Sequence, residues 1–465
     1  MPATEQRDGA LAPFAKHNCS GRLRGVRSPS RMEKARLLPV VFSSVLFLVT
    51  YWGILSGKLH RAIVSVVGAA AMVAAGTWIG FYRDEMAFRA IDFNTIGLLF
   101  GMMILVGLSQ RAGIFRYLAI RAAKLTQGKP FLLLFVLSLL TAGLSAVLDN
   151  VTTIIVVAPV TVTIAGMLGI SAIPFLLSEV FLSNIGGAAT LIGDPPNILI
   201  GSAARLSFTN MLTHLAPIAF AAAVLTGLVL LFLFRRELRT KWVGREAVAA
   251  LDARAALTDP GRAVALSLIL LGTVVLYFVH AQLHLGPGVV ALIGAAVALL
   301  WVRPPMEEIV KDVHWDALVF FIGLFVMVGG VAAAGVLDLV AGGLFSLAKY
   351  GIVPTALVVL WAGALLSAIV DNIPFTMAMI PVILGLASRG IDVAPLWWAL
   401  ALGVAFGGNG TPIGSSAGVI LVSISERSGM PITTRTWLRY GLPATILSCA
   451  IASIGTVLAI ECGLF

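Results

Sequence analysis

Two Asp-Asn pairs lie within strongly apolar stretches of the sequence. Asp149 and Asn150 fall in SAVLDNVTTIIVVAP, and Asp371 and Asn372 fall in SAIVDNIPFTMAMIP, 222 residues later. A carboxylate inside hydrocarbon costs about 2.5 to 3.5 kcal/mol, and such residues usually mark ion pathways or proton relays. At a turn of the chain, Asp and Asn side chains can coordinate an ion or cap a helix N-terminus. Their symmetric placement predicts two ion-binding clamps, with two structural caps as the alternative.

A glycine-rich stretch follows each pair, NIGGAATLIGDPPN at 184–197 and FGGNGTPIGSSAG at 406–418. Glycines followed by Asp194 and Pro195 break a helix and expose carbonyls and a half-helix N-terminus, which can bind cations and substrates. Plain helix capping by Asp194 is the alternative. Ser415 replaces Asp194 in the second stretch, so the two half-sites differ. We predict ion or substrate binding for Asn184, Gly186, Gly187, Thr190, Asp194, Asn197, Asn409, Thr411, Ser415 and Ser416.

Glu179 is a further acidic residue in an apolar stretch. It precedes Asn184 by five residues and has no acidic equivalent in the second half of the chain. A proton-carrying role and a buried hydrogen-bonding role are both open, and we include Glu179 among the candidate ion-binding residues.

The composition is that of a membrane protein. Of 465 residues, 59% are hydrophobic and 12% are charged, and uncharged stretches are long enough to cross a bilayer. The clearest predicted spans are 37–55, 62–80, 95–110, 215–234, 263–279, 286–302, 317–337, 352–370 and 442–460. The net charge of +10 comes from loops beside these spans, so it indicates membrane orientation and not nucleic-acid binding.

The two halves of the chain form a tandem repeat. Gly101 aligns with Gly323 and Gly107 with Gly329 at the same offset as the Asp-Asn pairs. We predict an all-α polytopic membrane protein with two inverted repeats, each with five crossings, a re-entrant hairpin and a broken helix. The predicted divisions are a disordered basic extension (1–36), a first repeat (37–234), a cytoplasmic linker (235–262) and a second repeat (263–465).

Basic residues give the orientation. The linker carries seven Lys or Arg and the stretch 111–129 carries five without an acid, so both are predicted to be cytoplasmic. The same count of crossings puts the N-terminus outside, in conflict with its eight basic residues. Translation from Met32 would remove most of this conflict; otherwise the count of crossings is off by one.

The motifs LDNVTTIIVVAPVTV and SEVFLSNIGGAATLIGDPPNILI resemble those of the ion transporter superfamily, of the arsenite-efflux permease, melanosomal P protein and citrate-transporter-like type. The resemblance covers about residues 37–465 and implies a dimer with a scaffold and a transport domain, working by elevator-like alternating access. In the related dicarboxylate carriers, Ser-Asn-Thr tips and broken helices hold sodium ions and a carboxylate substrate. Here Leu148-Asp149-Asn150 and Val370-Asp371-Asn372 occupy the tips, so Asp replaces Ser.

These observations predict a secondary transporter of the plasma (inner) membrane that moves a small inorganic ion or oxyacid, of the arsenite or antimonite type, with protons or sodium. An acidic site without Lys or Arg repels anions. The alternatives are a sodium/proton antiporter, an organic-anion carrier of the citrate or dicarboxylate type, an ion channel and, more distantly, an intramembrane aspartyl protease. No cofactor is expected beyond transported or coupling sodium ions, and ATP dependence would require a separate ATPase subunit.

Overall fold

Helices make up the regular structure in the described part of the computed structural model, which comprises residues 29–56, 59–239, 248, 251–369 and 371–465. The first repeat contains α1 (Pro29–Leu55), α2 (Arg61–Ile79), α3 (Asp84–Ala90), α4 (Phe93–Arg111), α5 (Ile114–Leu125), α6 (Pro130–Ser145), α7 (Asn150–Leu168), α8 (Ile173–Gly187), α9 (Pro195–Ala204) and α10 (Phe208–Leu233). The second contains α11 (Pro260–Val279), α12 (Pro287–Val302), α13 (Met306–Asp312), α14 (Trp315–Ala333), α15 (Val336–Ala348), α16 (Ile352–Ile369), α17 (Asn372–Ala387), α18 (Ala394–Gly407), α19 (Ser416–Arg427) and α20 (Thr434–Glu461).

Within the described ranges, nine helices are long and apolar enough to cross a membrane. They are α1, α2, α4, α7, α10, α11, α14, α16 and α20. The all-α polytopic architecture predicted from the sequence is therefore confirmed, and the chain is a multi-pass integral membrane protein. The shorter apolar helices α6, α8, α12, α17 and α18 complete the apolar part of each repeat.

The helix order repeats after ten helices, so that each helix of the first repeat has a counterpart ten numbers later. α4 and α14 are related by the offset of 222 residues at both ends, as are α3 and α13. Each predicted hairpin is a pair of helices, α6 with α7 and α16 with α17. Each predicted broken helix is a pair of half-helices, α8 with α9 and α18 with α19.

Each repeat packs one of its first four helices along a helix of the other repeat. α2 packs along α14, and in the symmetry-related place α4 packs along α12. Glycines permit this close approach, because a Cβ on Gly101 would lie 2.6 Å from the carbonyl carbon of Ala291, and one on Gly323 would lie 2.8 Å from that of Ser65. The repeats therefore form one interlocked unit around a pseudo-two-fold axis.

Two groups of helices can be distinguished by their packing. The frame consists of α1–α4 and α11–α14, and the core bundle consists of α6–α10 and α16–α20. The amphipathic helices α5 and α15 connect the groups and lie against the hairpin helices α7 and α17. The direct packing between frame and core bundle is limited mainly to α14 on α17, α4 on α9 and α11 on α10.

Both predicted non-membrane segments lie partly outside the described residues. Of the extension at 1–36, residues 1–28 lie outside, and α1 begins at Pro29, before the predicted boundary. In the linker, residues 240–247 and 249–250 lie outside. Its described part returns to the frame, where the Thr258 hydroxyl donates a hydrogen bond of 2.8 Å to the carbonyl of Arg111.

Substitution of the interlocking glycines tests this packing of helices between the repeats. We expect Gly101→Ala and Gly323→Ala each to destabilise the protein by about 1–3 kcal/mol, because the added Cβ meets backbone that cannot move alone. Gly272→Ala on α11 is the matched control, since a Cβ there would have no described atom within 4 Å. Thermal unfolding in detergent measures the effect, and equal melting temperatures for all three variants would contradict the packing argument.

Candidate functional site

The candidate site lies in the core bundle, where parts of both repeats come together. The first tip is the turn at 146–149, and the second tip is at Asp371, directly before α17. The first break (188–194) and second break (408–415) interrupt the two broken helices. α7 packs against α19 and α17 packs against α9, so each hairpin lies against the second half-helix of the other repeat.

Asp194 is the centre of this site. Its carboxylate, only 1% exposed, accepts hydrogen bonds from Asn150 Nδ2 at 3.2 Å and from Asn372 Nδ2 at 3.2 and 3.3 Å. Asp194 occupies the N-cap position of α9, as the sequence predicts, yet its side chain makes no capping hydrogen bond. A buried carboxylate without partners would be strongly unfavourable, so its binding to both tip asparagines holds the two hairpins together.

A second set of amides extends from Asn150 across to the second repeat. Asn150 Nδ2 also donates to Asn184 Oδ1 at 3.1 Å. Asn184 Nδ2 donates to Asn409 Oδ1 at 2.9 Å and to Ser415 Oγ at 3.0 Å. We call these residues, with Asp194 and Asn372, the central cluster: Asn150, Asn184, Asp194, Asn372, Asn409 and Ser415. All of them are buried, and the sequence predicted all of them as binding residues.

The remaining predicted residues of the breaks shape the backbone. Thr190 donates to the Ala146 carbonyl, and in the second repeat Thr411 donates to the Ala368 carbonyl, so each break is tied to its own hairpin. Asn197 Nδ2 donates to two carbonyls of the first break and to that of Gly187, the last residue of α8. Gly186 has to be glycine for packing, because a Cβ there would lie 2.2 Å from the Ala142 carbonyl oxygen. Gly187 has to be glycine for the same reason, because a Cβ there would lie 2.6 Å from the Gly193 carbonyl oxygen.

The aspartates of the two Asp-Asn pairs make different contacts. Asp149 caps α7 by accepting hydrogen bonds from the backbone N–H and the hydroxyl of Thr152. In the second repeat Pro374 stands in the place of Thr152 and offers neither donor. Asp371 instead accepts from the Ser416 hydroxyl at 3.2 Å and from the Ile373 N–H at 3.5 Å. Asp149 is thus satisfied locally, and Asp371 is bound across to α19.

Arg61 is a site residue that the sequence reasoning missed. Its guanidinium Nη1 lies 3.7 Å from Asp371 Oδ2 and donates to Ser416 Oγ at 3.1 Å, while Nη2 lies 3.8 Å from Asp316 Oδ2. The expectation of a site without Lys or Arg is therefore wrong. Arg61 is distant in sequence from both tips and reaches the second tip only because the frame helix α2 begins beside it, so no local motif could indicate this contact.

Two amide oxygens of the site offer free electron pairs. Asn150 Oδ1 and Asn197 Oδ1 are buried and have no hydrogen-bond partner among the described residues. Amide oxygens, carboxylates and exposed carbonyls are the ligands that hard cations such as Na⁺ prefer. The oxygen ligands of the central cluster and of Asn197 are thus suited to a small cation, while Arg61 at the second tip is suited to an anion.

Glu179 lies outside the central cluster. It is fully buried on α8, and its Oε1 accepts a hydrogen bond from the Thr161 hydroxyl of α7. Thr161 is a second residue that the sequence reasoning did not single out.

Two variants separate the binding role of Asp194 from the capping role of Asp149. We expect Asp194→Asn to abolish transport, because the introduced amide NH₂ would face the donors of Asn150 and Asn372. We expect Asp149→Asn to retain transport, since Asn caps helices as well as Asp does. Flux in proteoliposomes and thermal unfolding of both variants provide the measurement. Loss of flux in a folded Asp149→Asn protein would instead support the ion clamp predicted from the sequence.

Known proteins with similar sequences are membrane proteins and transporters. The "46 kDa membrane protein" of Mycobacterium leprae is 37% identical over 420 residues, covering 89% of this chain and 97% of its own. An uncharacterized transporter of Mycobacterium tuberculosis is 38% identical over 424 residues, with the same coverage. The human P protein is 31% identical over 476 residues, which cover 84% of this chain and 57% of the P protein.

A solved structure resembles this fold, and a family model matches the sequence. The YdaH transporter of Alcanivorax borkumensis superimposes with a TM-score of 0.61 at 16% identity, over 90% of this chain and 98% of that one, a likeness of fold alone. The model of the family described as "Citrate transporter" (CitMHS) matches residues 51–403. The chain is a membrane transporter and belongs to the citrate transporter family.

Proposed function

We propose that the chain is a secondary active transporter that binds its solute and a coupling ion at the central cluster. The observation that carries this proposal is the meeting of both hairpin tips at Asp194, together with the bonds from Asn184 to Asn409 and Ser415 of the second break. Such discontinuous helices place backbone carbonyls, helix N-termini and polar side chains at membrane depth. A channel needs no such closed centre that links both repeats by hydrogen bonds, whereas a carrier that alternates between two states can use one to bind its solute.

Alternating access is proposed to occur by movement of the core bundle relative to the frame. Two features support an elevator-like step. The direct packing between the two groups is limited to a few helices, and the amphipathic helices α5 and α15 lie between them. Arg61 of the frame also holds Asp371 and Ser416 of the core bundle, so this ionic contact has to break or re-form during the movement. A homodimer, as the resemblance implies, would provide a fixed frame.

The solute class proposed first is a small carboxylate of the citrate type. The sequence argued against anions because Asp replaces Ser at the tips and no cation was indicated near them, and Arg61 now supplies a cation beside the second tip. Guanidinium groups bind carboxylates in paired hydrogen bonds, and the family to which the chain belongs is described as citrate transporters. An arsenite-type oxyacid, which enters without a charge, is the second candidate, favoured by the polar but mainly uncharged amides of the central cluster. Protons or sodium ions are the proposed coupling ions.

Proteoliposomes loaded with a pH-sensitive dye test this function. Pulses of citrate and of arsenite, each with and without sodium, are followed by internal pH, and labelled citrate and arsenite are measured in parallel. We expect a solute-dependent signal that also appears in counterflow, which distinguishes a carrier from a channel. Liposomes with Asp194→Asn are the negative control. A signal from sodium alone would identify a sodium/proton antiporter, and equal signals in wild-type and Asp194→Asn liposomes would contradict the proposed site.

Arg61→Gln tests the choice between an anion and a neutral solute. A lost hydrogen bond to a charged group corresponds to about 1.5–3 kcal/mol, so we expect the KM for citrate to rise about tenfold to a hundredfold. The KM for arsenous acid should change little, because it carries no charge for Arg61 to bind. Arg121→Gln, on the exposed face of α5, is the matched control. An equal rise of both KM values would indicate that Arg61 acts through the position of the second tip.

A further inference from the structure

One face of α8 carries a row of polar side chains, which the matching helix of the second repeat lacks. Glu179 and Ser183 lie one turn apart on the same face of α8, and Thr161 of α7 donates to Glu179. Ser183 Oγ lies 3.1 Å from Ser145 Oγ and 3.4 Å from the Asn150 carbonyl oxygen, so the row ends at the first tip. Glu179 Oε2 has no hydrogen-bond partner in the described part of the chain.

The second repeat provides a comparison within the same molecule. The alignment of the repeats places Ile383 at the position of Thr161, Leu400 at that of Glu179 and Val404 at that of Ser183. All three apolar residues are 0% exposed, as is Glu179. The same pair of packed helices is therefore built with apolar side chains in one repeat and with polar side chains in the other. Packing alone does not require the carboxyl group of Glu179.

Glu179 has no charged partner on the helices around it. α8 packs against α6, α7, α10, α18, α19 and α20. α6, α7 and α18 contain no charged residue, and α10 contains only His214, which bonds to the carbonyls of Asn210 and Leu464. The charged residues of α19 and α20 lie near the helix ends and are Glu426, Arg427, Arg435, Arg439 and Glu461; Tyr440 of α20 bonds to Glu237.

A buried carboxyl group without a counter-charge is more stable in its neutral, protonated form, and it becomes charged when it releases the proton. We propose that Glu179, held by Thr161, is a proton-binding site of the transport cycle, separate from the central cluster and linked to the first tip through Ser183. Protonation of Glu179 then supplies the O–H donor that Oε2 can direct to a neighbouring acceptor, and deprotonation occurs when the core bundle opens this region to water. This proposal rests on the proposed transport function and names its coupling ion as the proton.

Two variants test the site by flux. Glu179→Gln retains the shape and a donor of the protonated acid. The double variant Thr161→Ile with Glu179→Leu reproduces the pair that already packs in the second repeat, which makes folding of this variant expected. Thr226→Val is the matched control, because Thr226 is a buried residue of the core bundle whose hydroxyl has no partner among the described residues.

For a solute that moves with one proton, a gradient of one pH unit drives about tenfold accumulation. We expect wild-type protein and Thr226→Val to show this accumulation of labelled citrate or arsenite. Both Glu179 variants should lose it while retaining counterflow at equal pH. Accumulation equal to wild type in either folded Glu179 variant would overturn the proposal. Loss of counterflow together with accumulation in both folded variants would also overturn it, because Glu179 would then be needed for solute binding or movement itself.

Infrared difference spectroscopy tests proton binding without any solute. Spectra of the detergent-purified protein at two pH values report the C=O band of a protonated carboxyl group. We expect a band that shifts with pH in wild-type protein and in Thr226→Val and that is missing in Glu179→Gln. If wild-type protein and Glu179→Gln give identical spectra, the proton site is refuted. Because this readout needs no flux, a failure of the proposed transport function would leave the band present.

Discussion

The carboxylate of Asp194 imposes the central constraint on this structure. A charged group buried at membrane depth requires several donors, and the chain supplies them from the tips of both hairpins. To bring Asn150 and Asn372 to one carboxylate, both hairpins have to end beside the break of the first repeat. The packing of α17 on α9 follows from that requirement. The position of one acidic side chain thus couples the two halves of the core bundle.

Symmetry governs the backbone of the molecule and asymmetry governs its chemistry. The threonines that tie each break to its hairpin, Thr190 and Thr411, occur in both repeats with the same bond. The groups that carry charge do not. In the second repeat, Ser415 occupies the position of Asp194, and a leucine occupies that of Glu179. A duplicated scaffold has therefore been kept for its geometry, while the ionisable groups are concentrated in the first repeat and at the second tip.

Sequence reasoning predicted eight of the nine membrane-length helices of the described residues, the repeats, the hairpins and the breaks, because each leaves a local signal in hydropathy, offset or glycine and proline content. It placed its ninth span on the shorter helix α12 and assigned α7 to a hairpin. It also named each residue of the central cluster. It could not decide that Asp149 is bound within its own helix while Asp371 also bonds across to Ser416, although Pro374 in place of Thr152 indicates this difference. Contacts such as that of Arg61 with Asp371 depend on how the frame meets the core bundle, and no periodicity in either segment records that distance.

The packing of helices between the repeats has a consequence for biosynthesis. When the ribosome has finished the first repeat, α2 and α4 are already made, but the surfaces they will cover, α14 and α12, have not yet been synthesised. The early helices must therefore be held in the bilayer, or against the insertion machinery, with these packing faces open. Final assembly waits for the second half of the chain, which makes the newly inserted first half the species most dependent on chaperoning in the membrane.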